Sequence, residues 1–185
     1  DVESAEVLLE RIRKEREERY KSECKEAKKN GLRKPKKLSD YTVYDENHFN
    51  LPDNWIATSP EEISSPQKYS LAIGPFGSNL KVSDYKDDGV PIVFVKNIRS
   101  GNFLNDRKFV SETKAKELYQ HLVRPGDLLV TKMGEPPGDC CIYSENLEEA
   151  IITSDCLKFS IWNHYIERKF YKIAINSYII KVQLV

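Results

Sequence analysis

The chain lacks any apolar run long enough to span a membrane, and no charged and then apolar leader opens it. It also lacks an excess of either charge, because 29 basic and 29 acidic residues balance to zero at pH 7. We therefore predict a soluble, cytoplasmic protein that does not bind polyanions through overall attraction. A local basic segment could still attract an anion. Six basic residues and no acidic residue lie from Lys28 to Lys37.

The cysteines lack the spacing of a metal site or a redox motif. No CxxC pair occurs, and no histidine lies at zinc-ligand spacing from a cysteine. The adjacent Cys140 and Cys141 cannot form a disulfide with each other without strain. We expect free thiols in a reducing compartment and no structural metal. The four cysteines are Cys24, Cys140, Cys141 and Cys156.

No set of residues forms a convincing catalytic site. A methyltransferase needs a glycine-rich cofactor loop and an aromatic residue that stacks on the target base, and segment 135–138 (Glu-Pro-Pro-Gly) has no such aromatic. Asp155 with Glu167 and Lys169 approaches the spacing of a metal-dependent nuclease, but chance matches are easy in so charged a chain. The three histidines lie in a linker or at helix boundaries, so no nucleophile has a positioned base. We predict no catalytic residue and no cofactor.

A long helix is predicted at the start of the chain, over residues 2–30. Apolar residues recur at heptad-like spacing, and Gly31 suits the position after the last turn. Such a helix gains stability from a partner, so we expect it to form a coiled coil. The expected partner-helix contacts are Leu8, Leu9 and Ile12.

The rest of the chain is predicted to be a linker over 31–50 and a globular domain over 51–185. Short segments rich in β-branched and aromatic residues indicate strands. These segments are 90–95, 128–131, 139–144, 150–153 and 156–162. Helices are expected over 111–121, after an N-capping Ser111, and again after Asn163. The predicted fold class is therefore α+β, mixed and strand-rich, with a long N-terminal helix. The last helix reaches Val185 without a stop signal, so we expect a longer natural chain.

Three polar loops next to predicted strands suggest recognition of nucleic acid. Arg and Asn can make two hydrogen bonds with one base in the major groove, whereas Lys usually contacts phosphate. Loops held on a sheet suit this task, because the sheet fixes their positions while their residues vary. The candidate DNA-binding residues are Ser78, Asn79, Lys81, Lys96, Asn97, Arg99, Asn102 and Lys132.

Ordered motifs along the chain resemble a known family, the DNA specificity subunits of type I restriction–modification systems. Segment 8–36 is similar to the end of a spacer helix, and 51–55 (Leu-Pro-Asp-Asn-Trp) to the opening of a target recognition domain. Gly-Pro-Phe-Gly-Ser at 74–78, a Gly-Val-Pro strand start at 89–91 and Pro-Gly-Asp-Leu-Leu at 125–129 follow in the family's order.

The resemblance implies a non-catalytic subunit that binds double-stranded DNA. In that family, two recognition domains each read half of a split target, and paired helices set the distance between them. Methyltransferase (modification) subunits and a restriction/translocase subunit would be the protein partners. This chain would supply one recognition domain and part of the spacer.

Two other interpretations remain open. The chain could be a protein–protein interaction module that uses the N-terminal helix and does not read DNA, which its neutral charge favours. It could also be a stand-alone nuclease that depends on Glu167 and a metal. Steep salt dependence of binding would favour DNA over protein as the ligand.

Overall fold

A computed structural model describes residues 3–35, 37, 51–162 and 166–183. The chain forms two compact units, Asp1–Pro66 and Gln67–Val185. The predicted boundary at residue 51 stays a prediction, and most of the predicted linker lies outside the described residues. The helices are α1 (Ala5–Lys29), α2 (Pro60–Ile63), α3 (Val95–Ser100), α4 (Glu112–Glu117), α5 (Arg168–Ile175) and α6 (Tyr178–Lys181).

The predicted N-terminal helix is confirmed as α1. Its first turn is capped by the Ser4 hydroxyl, which accepts a hydrogen bond from the Val7 amide at 3.4 Å. An ion pair of 2.9 Å between Glu17 and Lys21 links successive turns on the surface. The helix ends at Lys29, and Gly31 follows with a φ of 64°, a left-handed conformation that favours glycine.

The residues expected to contact a partner helix are largely covered within this chain. Leu9 and Ile12 are only 3% and 1% exposed, and Leu8 is half-buried. The coiled-coil role of Leu8, Leu9 and Ile12 stays a prediction, but two of these three side chains have little surface left for another protein. In the same unit, the buried Glu62 carboxylate accepts hydrogen bonds from Arg13 and from Thr58.

Two four-stranded sheets make up the second unit, which confirms the α+β fold class. One has the order β1-β8-β5-β6 and is antiparallel throughout, and the other has the order β3-β2-β7-β4. The strands are β1 (Leu71–Ile73), β2 (Val90–Val93), β3 (Phe109–Val110), β4 (Leu122–Val123), β5 (Leu128–Thr131), β6 (Cys140–Ile142), β7 (Ala150–Ile152) and β8 (Cys156–Phe159).

All five predicted strands are present, with β5 at its predicted bounds and the others shorter. The three that were not predicted, β1, β3 and β4, contain two or three residues each. Strands this short show no alternation of polar and apolar residues, so their pairing depends on the neighbouring strands.

The parallel pair β2–β7 is the centre of the unit. Ile92 pairs with Ile151, and Val93 pairs with Ile152. The side chains of Ile92 and Ile151 pack into one apolar cluster, and those of Val93 and Ile152 pack into another. The pair is therefore buried on both faces, as is usual for parallel strands.

The predicted final helix is two helices, α5 and α6. The break follows Asn176, whose side-chain amide donates to the Cys140 carbonyl at 2.8 Å and accepts from the Cys140 amide at 3.0 Å. This side chain thus pairs with the edge of β6 as a strand would. The predicted cap at Asn163 lies outside the described residues.

All four cysteines have free thiols, as predicted. Burial raises the pKa of Cys140 and of Cys141 to about 12 and that of Cys156 to about 11. These three side chains are protonated apolar core residues at neutral pH.

Candidate nucleic-acid interface

The parallel pairing of β2 with β7 determines where the candidate interface lies. Because Val93 and Ile152 are paired, the residues that follow them leave the sheet side by side at one edge. The Thr153 amide donates to the Val93 carbonyl at 3.1 Å and extends the pairing by one bond. The turn 153–155 and the start of α3 are therefore neighbours. Ligand sites are common at such positions, outside the carboxyl ends of parallel strands.

The glycine-rich loop 74–80 is attached next to this turn at Gly74, and Leu80 at its other end packs into an apolar cluster. The Gly74 amide donates to the Cys156 carbonyl at 3.0 Å, and a Cβ at Gly74 would overlap the Thr153 carbonyl. Pro75 and Leu80 are buried. The four residues between them are exposed, so the loop presents a short tip on an anchored base.

The loop between β5 and β6 contacts the same turn from another direction. The amides of Lys132 and Met133 donate to the Asp155 carbonyl at 2.8 and 3.2 Å. The base of this loop is closed by the Thr131 hydroxyl, which accepts from the Asp139 amide at 2.9 Å. Two of the three loops that the sequence predicts to bind DNA are therefore bonded at or next to the turn 153–155, and the third follows the end of β2, which is bonded to Thr153.

A groove lies beside the turn 153–155 and is bordered by the loop 74–80, the start of α3 and residues 106–108. It consists of two cavities of about 570 and 140 Å³ that share Phe94, Thr153 and Asp155 as lining residues. The remaining lining residues are Pro75, Leu80, Tyr85, Val95, Lys96, Asp106, Arg107, Lys108 and Ser154. We call this concave surface the groove.

The cationic side chains of the groove differ in how firmly they are paired. Arg107 is bound to Glu148, and its hydrogen bond lowers the pKa of that carboxyl. Lys96 reaches Asp106 only at 3.4 Å, and Lys108 reaches Asp87 only at 3.5 Å. Exposed ion pairs of this length contribute little, so both ammonium groups can turn to an anion such as a phosphate.

Five of the eight candidate DNA-binding residues are exposed in or beside the groove. Ser78 and Asn79 occupy the tip of the loop 74–80, and Lys96 lines the groove. Lys81 follows Leu80, a lining residue, and the backbone of Lys132 is bonded to Asp155, another one. Among the described residues, the side chains of Lys81 and Lys132 have no acidic partner.

Asn97 has a structural role that the sequence does not reveal. It is 6% exposed, its Oδ1 accepts from the Phe94 amide at 2.9 Å, and its Nδ2 donates to the Asn102 carbonyl at 3.0 Å. The segment 95–100 is helix α3, where the sequence predicts the end of a strand followed by a polar loop. Contact with a base would require both bonds to break, so we do not include Asn97 in the proposed interface.

Arg99 and Asn102 also make hydrogen bonds that position neighbouring loops. Arg99 donates to the Asp139 carboxylate at 2.9 Å and to the Pro136 carbonyl at 3.0 Å. Hydrogen bonds from Lys181 and Arg99 lower the pKa of the Asp139 carboxyl. Asn102 Oδ1 accepts from the amides of Leu104 and Asn105. Both residues position loops near the groove, and we do not assign them direct contacts with bases.

Two features of this surface are not predicted from the sequence. The first is Lys108, which lines the groove as Lys96 does. The basic pair 107–108 before a short strand is the sequence signal that could have indicated it. Phe76 is exposed at the loop tip, although a Phe next to Pro75 in an apolar setting suggests burial. Its exposure follows from the anchoring of the loop, which only the structure shows.

Comparison with known proteins gives similarity at the level of structure alone. No family model matches the chain, and no curated protein matches it. The HsdS subunit from Thermoanaerobacter tengcongensis has a TM-score of 0.49 and 18% identity, over 97% of this chain and 39% of that one. A structure from work on complex assembly and conformational transition of the type I R-M system has a TM-score of 0.47 and 18% identity, over 92% and 38%.

The first of these neighbours is an HsdS subunit, and the second comes from a type I R-M system. The chain spans about two fifths of their length. No helix in the described ranges is both long enough and apolar enough to cross a membrane. Within the same ranges, no three His, Cys, Asp or Glu residues are grouped so that they could hold a metal ion.

Replacing Gly74 by Ala should displace the loop 74–80. The added methyl group would meet the Thr153 backbone, which cannot move without disturbing the β2–β7 edge, so we expect a loss of about 1–3 kcal/mol in unfolding free energy. Gly77→Ala is the matched control, because nothing lies within 4 Å of its new Cβ. Urea denaturation of both variants measures the difference. Equal stability of the two would contradict the anchoring of the loop.

Proposed function

We propose that this chain binds double-stranded DNA in a sequence-specific manner through the groove and the polar loops beside it. The observation that carries the proposal is that the loop 74–80 and the β5–β6 loop are both bonded at or next to the turn 153–155, where β2 also ends. Recognition of a base sequence requires several side chains in a fixed relation to one another, and loops attached to one rigid turn meet that requirement.

The charge of the second unit is compatible with this role. Residues 67–185 contain 16 Lys and Arg against 14 Asp and Glu, a net charge of +2, whereas residues 1–66 carry 13 against 15, a net of −2. The basic residues with weak or no acidic partners, Lys81, Lys96, Lys108 and Lys132, lie in or next to the groove. A local cluster of unpaired cations attracts phosphates even when the whole chain is neutral.

The side chains divide into two proposed tasks. The four lysines contact phosphates and orient the duplex, which gives affinity without sequence preference. Ser78 and Asn79 at the loop tip contact base edges, because short polar side chains on an exposed tip can enter a groove of the duplex. Asn79 is the preferred base-reading residue, since an amide can bind adenine through two hydrogen bonds.

We further propose that the chain is part of the specificity subunit of a type I restriction–modification complex. It would read one half of a bipartite target and direct the methyltransferase and nuclease subunits, while itself carrying no catalysis. The ordered motifs from 8–36 to 125–129 support this, together with the presence of one recognition unit preceded by a long helix. An interaction module built on Leu8, Leu9 and Ile12 has less support, because Leu9 and Ile12 are buried.

The lysine assignments predict a uniform loss of DNA affinity. Lys81→Ala and Lys132→Ala should each weaken binding to every duplex, and each should reduce the slope of log K against log salt by about one unit. Fluorescence anisotropy with a random-sequence 30-base-pair duplex at several salt concentrations measures the slopes. Lys116→Ala on α4, which contributes no residue to the groove, is the control and should leave the slope unchanged. Equal slopes for all variants would exclude the groove as the DNA site.

The two asparagines should respond oppositely to substitution. Asn79→Ala should cost about 1–3 kcal/mol of binding to a duplex selected from a random pool, with no change in thermal stability, because Asn79 is exposed. Asn97→Ala should instead lower the free energy of unfolding by about 1–3 kcal/mol, because it removes the bonds that hold the start and end of α3. Anisotropy and thermal unfolding on both variants provide the comparison. A stable Asn97 variant that loses only selected-duplex binding would reverse the assignment.

A further inference from the structure

The most exposed aromatic residue near the groove is Phe76. It is 81% exposed, while its neighbours Pro75 and Leu80 are buried and line the groove. A large apolar side chain held in water at this degree of exposure gains free energy when a ligand covers it. Because Phe76 lies at the rim of the proposed DNA site, we expect a ligand bound there to contact it.

The loop presents Phe76 in a defined way. The Phe76 carbonyl accepts from the Asn79 amide at 2.8 Å and from the Leu80 amide at 3.4 Å, which closes the tip into a turn. The base of the loop is fixed by Gly74, as described above. Because the backbone of the loop is already fixed, ordering it costs little on binding, and contact with Phe76 contributes more to affinity.

The surroundings of Phe76 favour a nucleic acid over a protein as the partner. The next three residues, Gly77, Ser78 and Asn79, are exposed and polar or lack a side chain. Protein-binding sites usually present several adjoining apolar side chains around an anchor residue. An apolar side chain on a loop tip whose other exposed residues are polar or glycine instead matches the wedges that enter duplex DNA between two base pairs.

We propose that Phe76 inserts between two neighbouring base pairs of the bound duplex and unstacks them. This inference rests on the proposed function and adds a specific mechanical role to it. Asn79, three residues further along the same turn, then contacts a base edge next to the opened step. The energetic cost of unstacking depends on the base step, so Phe76 contributes to sequence selection without making a hydrogen bond.

The test uses the full chain and a 30-base-pair duplex selected by it from a random pool. The fluorescent base 2-aminopurine is placed at successive positions of that duplex, and its fluorescence rises when stacking is lost. The wild-type chain should raise the fluorescence at one step. Phe76→Ala should abolish this rise and weaken binding about tenfold, the loss expected for one aromatic–base contact. Phe76→Leu, which keeps an apolar wedge, should retain part of the rise.

Val82→Ala is the matched control, because Val82 is apolar and 79% exposed but lies outside the loop 74–80. It should bind and unstack the duplex as the wild type does. If the wild type raises the fluorescence at no position, or Phe76→Ala raises it as the wild type does, insertion is excluded while DNA binding stands. If the wild type binds no duplex and selects none even at low salt, the proposed function fails as well. Because Phe76 is exposed, unchanged thermal unfolding of Phe76→Ala verifies that the variant is folded.

Discussion

The parallel pairing of β2 with β7 is the constraint on which the rest of the second unit depends. The pair separates the two apolar clusters, because alternate residues of each strand face opposite clusters. It also places Phe94 and Thr153 at the same edge of the sheet. At this edge the Lys132 amide binds Asp155 in the turn 153–155, and the Gly74 amide binds Cys156, the residue after the turn. The same pairing therefore supports the core and locates the candidate DNA interface.

Much of this fold can be predicted from the sequence, because the longer elements carry strong local signals. The pattern of Leu128–Thr131 gives β5 at its observed bounds, and the predicted cap Ser111 binds the first turn of α4 through its hydroxyl group. The strands β3 and β4 contain two residues each and show no periodicity. Their pairing partners lie far away in the sequence, so only tertiary packing selects them.

The candidate site is harder to predict, because a polar residue type does not reveal what its side chain contacts. Asn79 and Asn97 look alike in the sequence, each in a polar stretch beside a strand. One is exposed on a loop tip, and the other is buried and bonded to the backbone at both ends of α3. The difference arises because residues 95–100 form helix α3, where the sequence predicts the end of a strand. The first turn of this helix needs a side chain that accepts a hydrogen bond from the Phe94 amide, and Asn97 provides it. Local sequence thus indicates candidate loops but cannot assign roles to the residues within them.

The most direct test of the account is an amide NMR titration of the 21.4 kDa chain with a random-sequence 30-base-pair duplex at low salt. If the two polar loops and the turn 153–155 form one DNA-contacting surface, the amide signals of 76–81, 131–134 and 153–155 should shift together at the same DNA concentrations. The signals of α5 and α6 should stay in place, because these helices contribute no residue to the groove. Shifts confined to α1 or to α5 and α6, with these three segments unaffected, would contradict the central claim.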